Sequence, residues 1–355
     1  LSVLLHSRRG EGVVLQTPIY PPFLAAVEGS GRRVVESSLV RGAERYEIDF
    51  EHLRAAIDAE TRLLLLCNPH NPTGRVFVRE ELLALGELAL EHDIIVVSDE
   101  IHADLAFPPH RHIPFATLGP ELAERTITVT SATKSFNLAG LPCAFAICGS
   151  DRMQQPFREL PPHALGQPGI LDDAATYTAW TKGQPWLEEV VAYLLENRAL
   201  MLDFFARRLP GLHVFPPEAT YMAWLDCREL RLPADPFAFF LEQARVGLTG
   251  GREFGAPGKG FARINFATSK AILREILELP ELLFEVFVKR VFGHRRSREI
   301  PHFLENSGDD KSRRNDALFF SVFEAGLNLV EGHSELGQAR DEVFRATAIF
   351  DNMAV

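Results

Sequence analysis

Up to about residue 150, short apolar runs alternate with stretches of helical periodicity. Gly12-Val13-Val14-Leu15-Gln16 reads as a strand, and Arg62 to Cys67, with Leu63, Leu64, Leu65 and Leu66 in succession, as another. A continuous apolar run of that length, ending in a turn rich in Pro, Asn and Gly, suits a strand buried on both faces. Arg79 to His92 places Leu82, Leu83, Leu85, Leu88 and Ala89 at helical spacing. Asp93 to Ser98 and Thr126 to Thr130 are further short strands. This alternation predicts an α/β fold, a mainly parallel sheet with helices on its faces. Ligands of such sheets gather at the carboxyl ends of the strands.

Further along, Pro185 to Arg208 has the pattern of one long helix. Ala219 to Asp226 and Gly260 to Ala267 read as strands of a smaller α+β unit. The expected division is a large domain over 1–185, a small C-terminal domain over 186–279 and a helical extension over 280–355. No linker marks the seam. In the extension, Glu281 to Phe292 is amphipathic, Ala317 to Val330 is a second apolar helical candidate, and basic residues cluster between Lys289 and Arg314. A solvated basic face on a docked helical pair is the expected reading. Leu1 to Arg8 resembles the end of a helix already under way, so a segment is expected to precede Leu1.

Composition narrows the function classes. The 355 residues carry a net charge of −11, which argues against a general nucleic-acid or anionic-membrane binder. Cys67, Cys143, Cys148 and Cys227 have neither Cys-x-x-Cys spacing nor the density of a disulfide scaffold. No metal is expected. No run is long enough to span a bilayer and no positive-then-apolar leader is present, so the cytoplasm is the expected location.

Three segments carry the chemistry: Cys67-Asn68-Pro69-His70-Asn71-Pro72-Thr73-Gly74, Ser98-Asp99-Glu100-Ile101-His102 and Ser131-Ala132-Thr133-Lys134-Ser135-Phe136-Asn137. Singly, Lys134 reads as a surface lysine, Asp99 as a helix cap and the first segment as a turn. In this order, each at a predicted strand end, they form a set for holding pyridoxal 5′-phosphate (PLP). Lys134 supplies an amine for a Schiff base and Asp99 a carboxylate for the pyridine nitrogen. Asn71 supplies an amide for the ring oxygen. Tyr20, after the first strand, is placed to stack on the ring. Ser131 and Thr133 offer hydroxyls to the phosphate, with local backbone capping as the competing reading. Arg263, inside an apolar strand, fits a substrate carboxylate, with a structural ion pair as its rival.

With these residues the chain resembles the fold-type I PLP enzymes of the class I/II aminotransferase superfamily. Within it, the chain is similar to the MalY/PatB-type C–S lyases, the cystathionine β-lyase branch. Matching stretches include Gln16 to Tyr20, Asn68 to Gly74, Ser98 to Asp104, Thr130 to Leu141, Gly183 to Leu187, Thr220 to Asp226 and Arg263 to Asn265. His102 directs the comparison to the lyase branch, because aminotransferases commonly place a tyrosine there.

The resemblance implies catalytic roles for Lys134, Asp99 and Tyr20, and cofactor binding by Lys134, Asp99, Asn71, Tyr20, His102, Ser131 and Thr133. Arg263 would bind the carboxylate of an amino-acid substrate. The implied reaction is α,β-elimination from cystathionine or a related cysteine S-conjugate, giving a thiol, pyruvate and ammonia, carried out by a homodimer. The resemblance also implies that the chain is truncated at its front. Pro142 stands where many relatives have a basic residue near the phosphate. Two alternatives stand beside this reading: a PLP-dependent aminotransferase, and a non-catalytic regulatory or interaction protein that retains the site's signature.

Overall fold

A computed structural model describes residues 1–161, 164 and 166–278. The expected extension over 280–355, with its two helical candidates, lies outside the described residues. The strands are β1 (Gly12–Leu15), β2 (Arg33–Glu36), β3 (Leu39–Arg41), β4 (Tyr46–Ile48), β5 (Thr61–Cys67), β6 (Ile95–Asp99), β7 (Thr126–Ser131), β8 (Ala144–Cys148), β9 (Met222–Asp226), β10 (Thr249–Gly250) and β11 (Phe261–Asn265). Six of them form one sheet in the order β2-β1-β5-β6-β7-β8. All neighbours in it are parallel except β8, which runs antiparallel to β7 at the edge. A second, antiparallel sheet has the order β10-β11-β9, and β3 and β4 make a separate antiparallel pair.

The apolar run of β5 is continuous because both faces of the sheet are covered. Leu64 and Leu66 face Val14, Val96 and the helix Arg79–Glu91, where Leu82, Leu85, Leu88 and Ala89 are buried. Leu63, Leu65 and Cys67 face the opposite way, against Val13, Leu15, Ile95, Val97 and Ile127. Each such leucine, fully buried, contributes about 1.5–3 kcal/mol. Glu81 starts the helix by accepting the Val78 N–H at 2.9 Å.

Two strand starts differ from the sequence expectation, each for a local reason. Asp93 adopts φ 51°, which ends the preceding helix and delays the strand to Ile95. Thr220 adopts φ 69° and its Oγ1 accepts the Met222 N–H at 3.2 Å. The strand expected from Ala219 therefore begins at Met222. Glu218 and Ala219 instead donate their N–H groups to the Gly74 carbonyl, at 2.8 and 3.0 Å. The long helix, expected from Pro185, spans Gln184–Arg208.

The two sheets share their packing. Trp224, Phe254 and Phe261 from the second sheet and its flank join the apolar cluster under β1, β5 and β6, while Leu105 and Phe107 join the cluster around Met222 and Leu225. A buried ion pair reinforces the junction. Glu218 Oε2 lies 3.3 Å from Arg75 Nε and accepts the Val76 N–H at 2.8 Å, and Arg75 also bonds Glu81 Oε2 at 2.6 Å. Among the described residues, no helix is long and apolar enough to cross a membrane.

Replacing Glu218 by Ala leaves the Arg75 charge and the Val76 N–H buried without this acceptor. Loss of one partner of such a pair costs about 3 kcal/mol. Glu218→Ala should therefore lower the melting temperature by about 5–10 °C, followed by circular dichroism.

Candidate active site

The strand order places β1, β5, β6 and β7 side by side and parallel, so their carboxyl ends line one edge of the sheet. Tyr20 follows β1, Asn68 to Gly74 follows β5, Asp99 closes β6, and Ser131 closes β7 just before Lys134. The chain reverses its progress across the sheet between β1 and β5, which is where a crevice forms in folds of this kind.

The turn after β5 is buried and has no ladder of its own. His70 compensates: its Nδ1 lies 2.8 Å from Thr73 Oγ1 and its Nε2 3.2 Å from the Gln16 carbonyl. Burial lowers the His70 pKa to about 4, so the ring is neutral. Gly74, at φ 71°, lies against Pro217; a Cβ there would stand 2.7 Å from the Pro217 Cβ. Asn71 is thereby held facing the second sheet, where Arg263 Nη1 donates to its Oδ1 at 2.9 Å. Arg263, buried on β11, also donates from Nη2 to Thr249 Oγ1 at 3.3 Å, and its guanidinium lies 5.0 Å from the Phe254 ring centre. Phe254 in turn accepts the Ile19 N–H at 2.9 Å, which ties the Tyr20 segment to the same place.

Asp99 Oδ1 accepts the Ile101 N–H at 3.1 Å, and among the described residues Oδ2 takes no hydrogen bond. Burial raises the Asp99 pKa to about 6; the Ile101 N–H opposes the rise, the Glu100 charge adds to it and the Lys134 charge opposes it. His102 is buried, and among the described residues its Nδ1 has no hydrogen-bond partner. Its ring meets that of Tyr221 edge-on at 5.9 Å. Burial lowers its pKa to about 3, and the nearby positive charges of Lys134 and Arg263 lower it further in the same direction.

Ser131 makes local bonds where it closes β7. Its Oγ donates to the Cys143 carbonyl at 2.6 Å, which can only accept, and lies 2.9 Å from Thr133 Oγ1. The Thr133 N–H donates to Ser131 Oγ at 3.1 Å. This is the local capping arrangement, with the single serine proton committed to the backbone. Thr133 and Lys134 are both partly buried on the following turn.

Several residues that shape the site carried no signal strong enough to single them out. His70 and Glu100 sit inside the motif segments with no residue-type signal of what they bond, and Glu218 is far from them in sequence. A buried charge such as Glu218 becomes legible only once its partner, Arg75, is known to face it.

Residues 1–279 match the family model "Aminotransferase class I and II". Cystathionine beta-lyase PatB of Bacillus subtilis (strain 168) is 38% identical over 279 residues, covering 78% of this chain and 72% of PatB. Protein MalY of Escherichia coli (strain K12) is 32% identical, with 76% and 69% covered. The crystal structure of cystalysin from Treponema denticola, which contains a pyridoxal 5′-phosphate cofactor, superposes with a TM-score of 0.78 at 31% identity, covering 81% of this chain and 73% of that one. The chain belongs to the class I and II aminotransferase family, and among its relatives are cystathionine β-lyases.

The raised pKa of Asp99 has a consequence for the cofactor-free protein. The folded state binds this proton up to about pH 6, whereas an unfolded aspartate releases it near ~3.9. The contribution of Asp99 to stability is therefore fully present below pH ~4 and is lost as the pH rises through about 6. Asp99→Asn avoids that loss. In PLP-free protein the variant should melt above wild type at pH ~8, by about 1–2 kcal/mol, with the gap closing toward pH ~4.

Proposed function

We propose that this chain is a PLP-dependent C–S β-lyase that eliminates the thiol from cystathionine or a related cysteine S-conjugate. The observation that carries the reading is Asp99 at the end of β6 and Lys134 on the turn after the neighbouring strand β7, with Arg263 of the second sheet bonded to Asn71. The relatives PatB and MalY, and the similarity to PLP-containing cystalysin, support it.

The donor set fits PLP. Asp99 has a carboxylate oxygen without a hydrogen bond among the described residues and a pKa held high by burial, so a protonated pyridine nitrogen supplies the positive partner it lacks. Asn71 gives its carbonyl oxygen to Arg263, which leaves the amide nitrogen as the end that donates to the ring oxygen. When bound, PLP supplies an electron sink for negative charge at the substrate's α-carbon.

Lys134 would hold the aldehyde carbon through Nζ and, once freed, take the proton from the substrate's α-carbon. Asp99 would keep a proton on the pyridine nitrogen. Arg263 would pair with the substrate's α-carboxylate and so orient the amino acid in the site. Tyr20 would cover the ring face, and Thr133 with the surrounding backbone would take the phosphate, Ser131 supporting that turn. His102, being neutral, would add no charge to the site. After the α-proton has left, the C–S bond would break and the departing thiolate would take up a proton; water would hydrolyse the remaining imine, so that the products are a thiol, pyruvate and ammonia.

The large and small domains would be 1–185 and 186–279, with the substrate between them. A cytoplasmic homodimer is part of the proposal. All four cysteines are unpaired, in keeping with a reducing compartment, and Ile170, Leu171 and Tyr177 are left largely exposed on the helix Ile170–Lys182. Light scattering on the purified protein checks the dimer, and a monomer mass would remove it.

The function is tested by a visible spectrum of protein with PLP, before and after cystathionine, beside Lys134→Ala. The expected result is an absorbance band in wild type only, with pyruvate released without any added keto acid. Amino-group transfer that needs a keto acid would make the chain an aminotransferase instead. PLP binding without either reaction would favour a non-catalytic role.

A further inference from the structure

Glu100 follows Asp99 directly, and nothing in the chemistry above uses it. It is buried at 5% exposure, as a carboxylate beside another carboxylate. Its Oε1 accepts from Ser98 Oγ at 2.8 Å and from the Phe115 N–H at 3.0 Å, and its Oε2 lies 2.9 Å from His112 Nε2. The other ring nitrogen, His112 Nδ1, is 3.4 Å from Asn68 Nδ2. Asn68 Oδ1 accepts the Phe77 N–H at 3.0 Å, so the end of this amide that faces His112 is the NH2 group.

Every proton in this set has one consistent place. Phe77 N–H donates to Asn68 Oδ1, Asn68 Nδ2–H to His112 Nδ1, and His112 Nε2–H to the Glu100 carboxylate. We propose that this directional hydrogen-bond chain is a positioning device. It holds the turn after β5, which carries Asn71, in register with the end of β6, which carries Asp99. The backbone joins the same two ends through Asn68 N–H donating to the Asp99 carbonyl at 3.0 Å. Glu100 and His112 also line a cavity of about 860 Å³, so on that side hydrogen bonds, rather than close packing, restrain the strand end. Asp99 and Asn71 are the residues proposed for two separate atoms of the PLP ring, its nitrogen and its oxygen. Their spacing therefore sets how well both ring contacts are made at once. The proposal rests on the PLP reading above.

Its test exploits the polarity of the chain. Glu100→Gln is isosteric and keeps Oε1 for Ser98 and Phe115, but it turns an NH2 toward His112 Nε2. The ring proton then moves to Nδ1, where it meets the Asn68 NH2, and two donors face each other. Adding Asn68→Asp replaces that donor with an acceptor and restores a continuous chain of opposite direction with the same formal charge. Affinity for PLP is read from the visible absorbance titration, together with the pH midpoint of the bound absorbance. Glu100→Gln should weaken PLP binding about 10-fold and shift that midpoint, and the double variant should recover most of both. His112→Gln, which keeps a donor for Glu100 but breaks the link to Asn68, should weaken binding to a similar degree. The proposal falls if Glu100→Gln or His112→Gln binds PLP as wild type does. It falls equally if the double variant melts like wild type yet binds no better than Glu100→Gln. A wild-type protein without a Lys134-dependent band would overturn the PLP reading itself, and that outcome is seen before any variant is compared.

Discussion

The buried turn from Asn68 to Gly74 must satisfy its backbone and side chains without a sheet ladder, and the surrounding structure is arranged around that requirement. His70 bonds inward to Thr73 and Gln16, Gly74 accepts from Glu218 and Ala219, and Arg75 anchors the far end through Glu81 and Glu218. Arg75 also donates to the Tyr46 carbonyl, which brings the β3–β4 pair into the same network. The partners come from four separate parts of the chain. The turn is consequently the place where the first sheet, the second sheet and the loops between them are made to agree.

That agreement is what creates the site. Arg263 lies on the central strand of the second sheet, and its bond to Asn71 fixes where it stands relative to the first. Phe254 lies beneath the guanidinium and accepts the N–H of the residue before Tyr20. Asp99 closes β6 and Lys134 sits on the turn after the neighbouring parallel strand β7, so the pairing of the two strands brings that turn beside Asp99. Polar groups that would be costly to bury singly are gathered at one edge, where each offsets part of the charge or desolvation of another.

Much of this was legible in the chain itself. The apolar run in β5 and the helical spacing of Arg79–Glu91 followed from burial on two faces and one face respectively, and both elements form where the pattern places them. The motif segments fall at strand ends because the apolar runs stop there. Illegible were the conformations set by single residues, such as the left-handed Asp93 and Thr220, whose side chains do not require φ > 0.

By itself the sequence determined the alternation of strands and helices, the family and a candidate set of residues for PLP chemistry. These depend on residue type and on spacing along the chain, which are local quantities. Only the tertiary structure decided that Asn71 and Arg263 touch, that the Ser131 hydroxyl is committed to Cys143, that Asp99 is buried enough to hold a proton to about pH 6, and that Glu100 is joined to Asn68 through His112. Those are matters of distance and dielectric environment between residues far apart in the chain, and they come into being only when the strands pair and the second sheet closes over their ends.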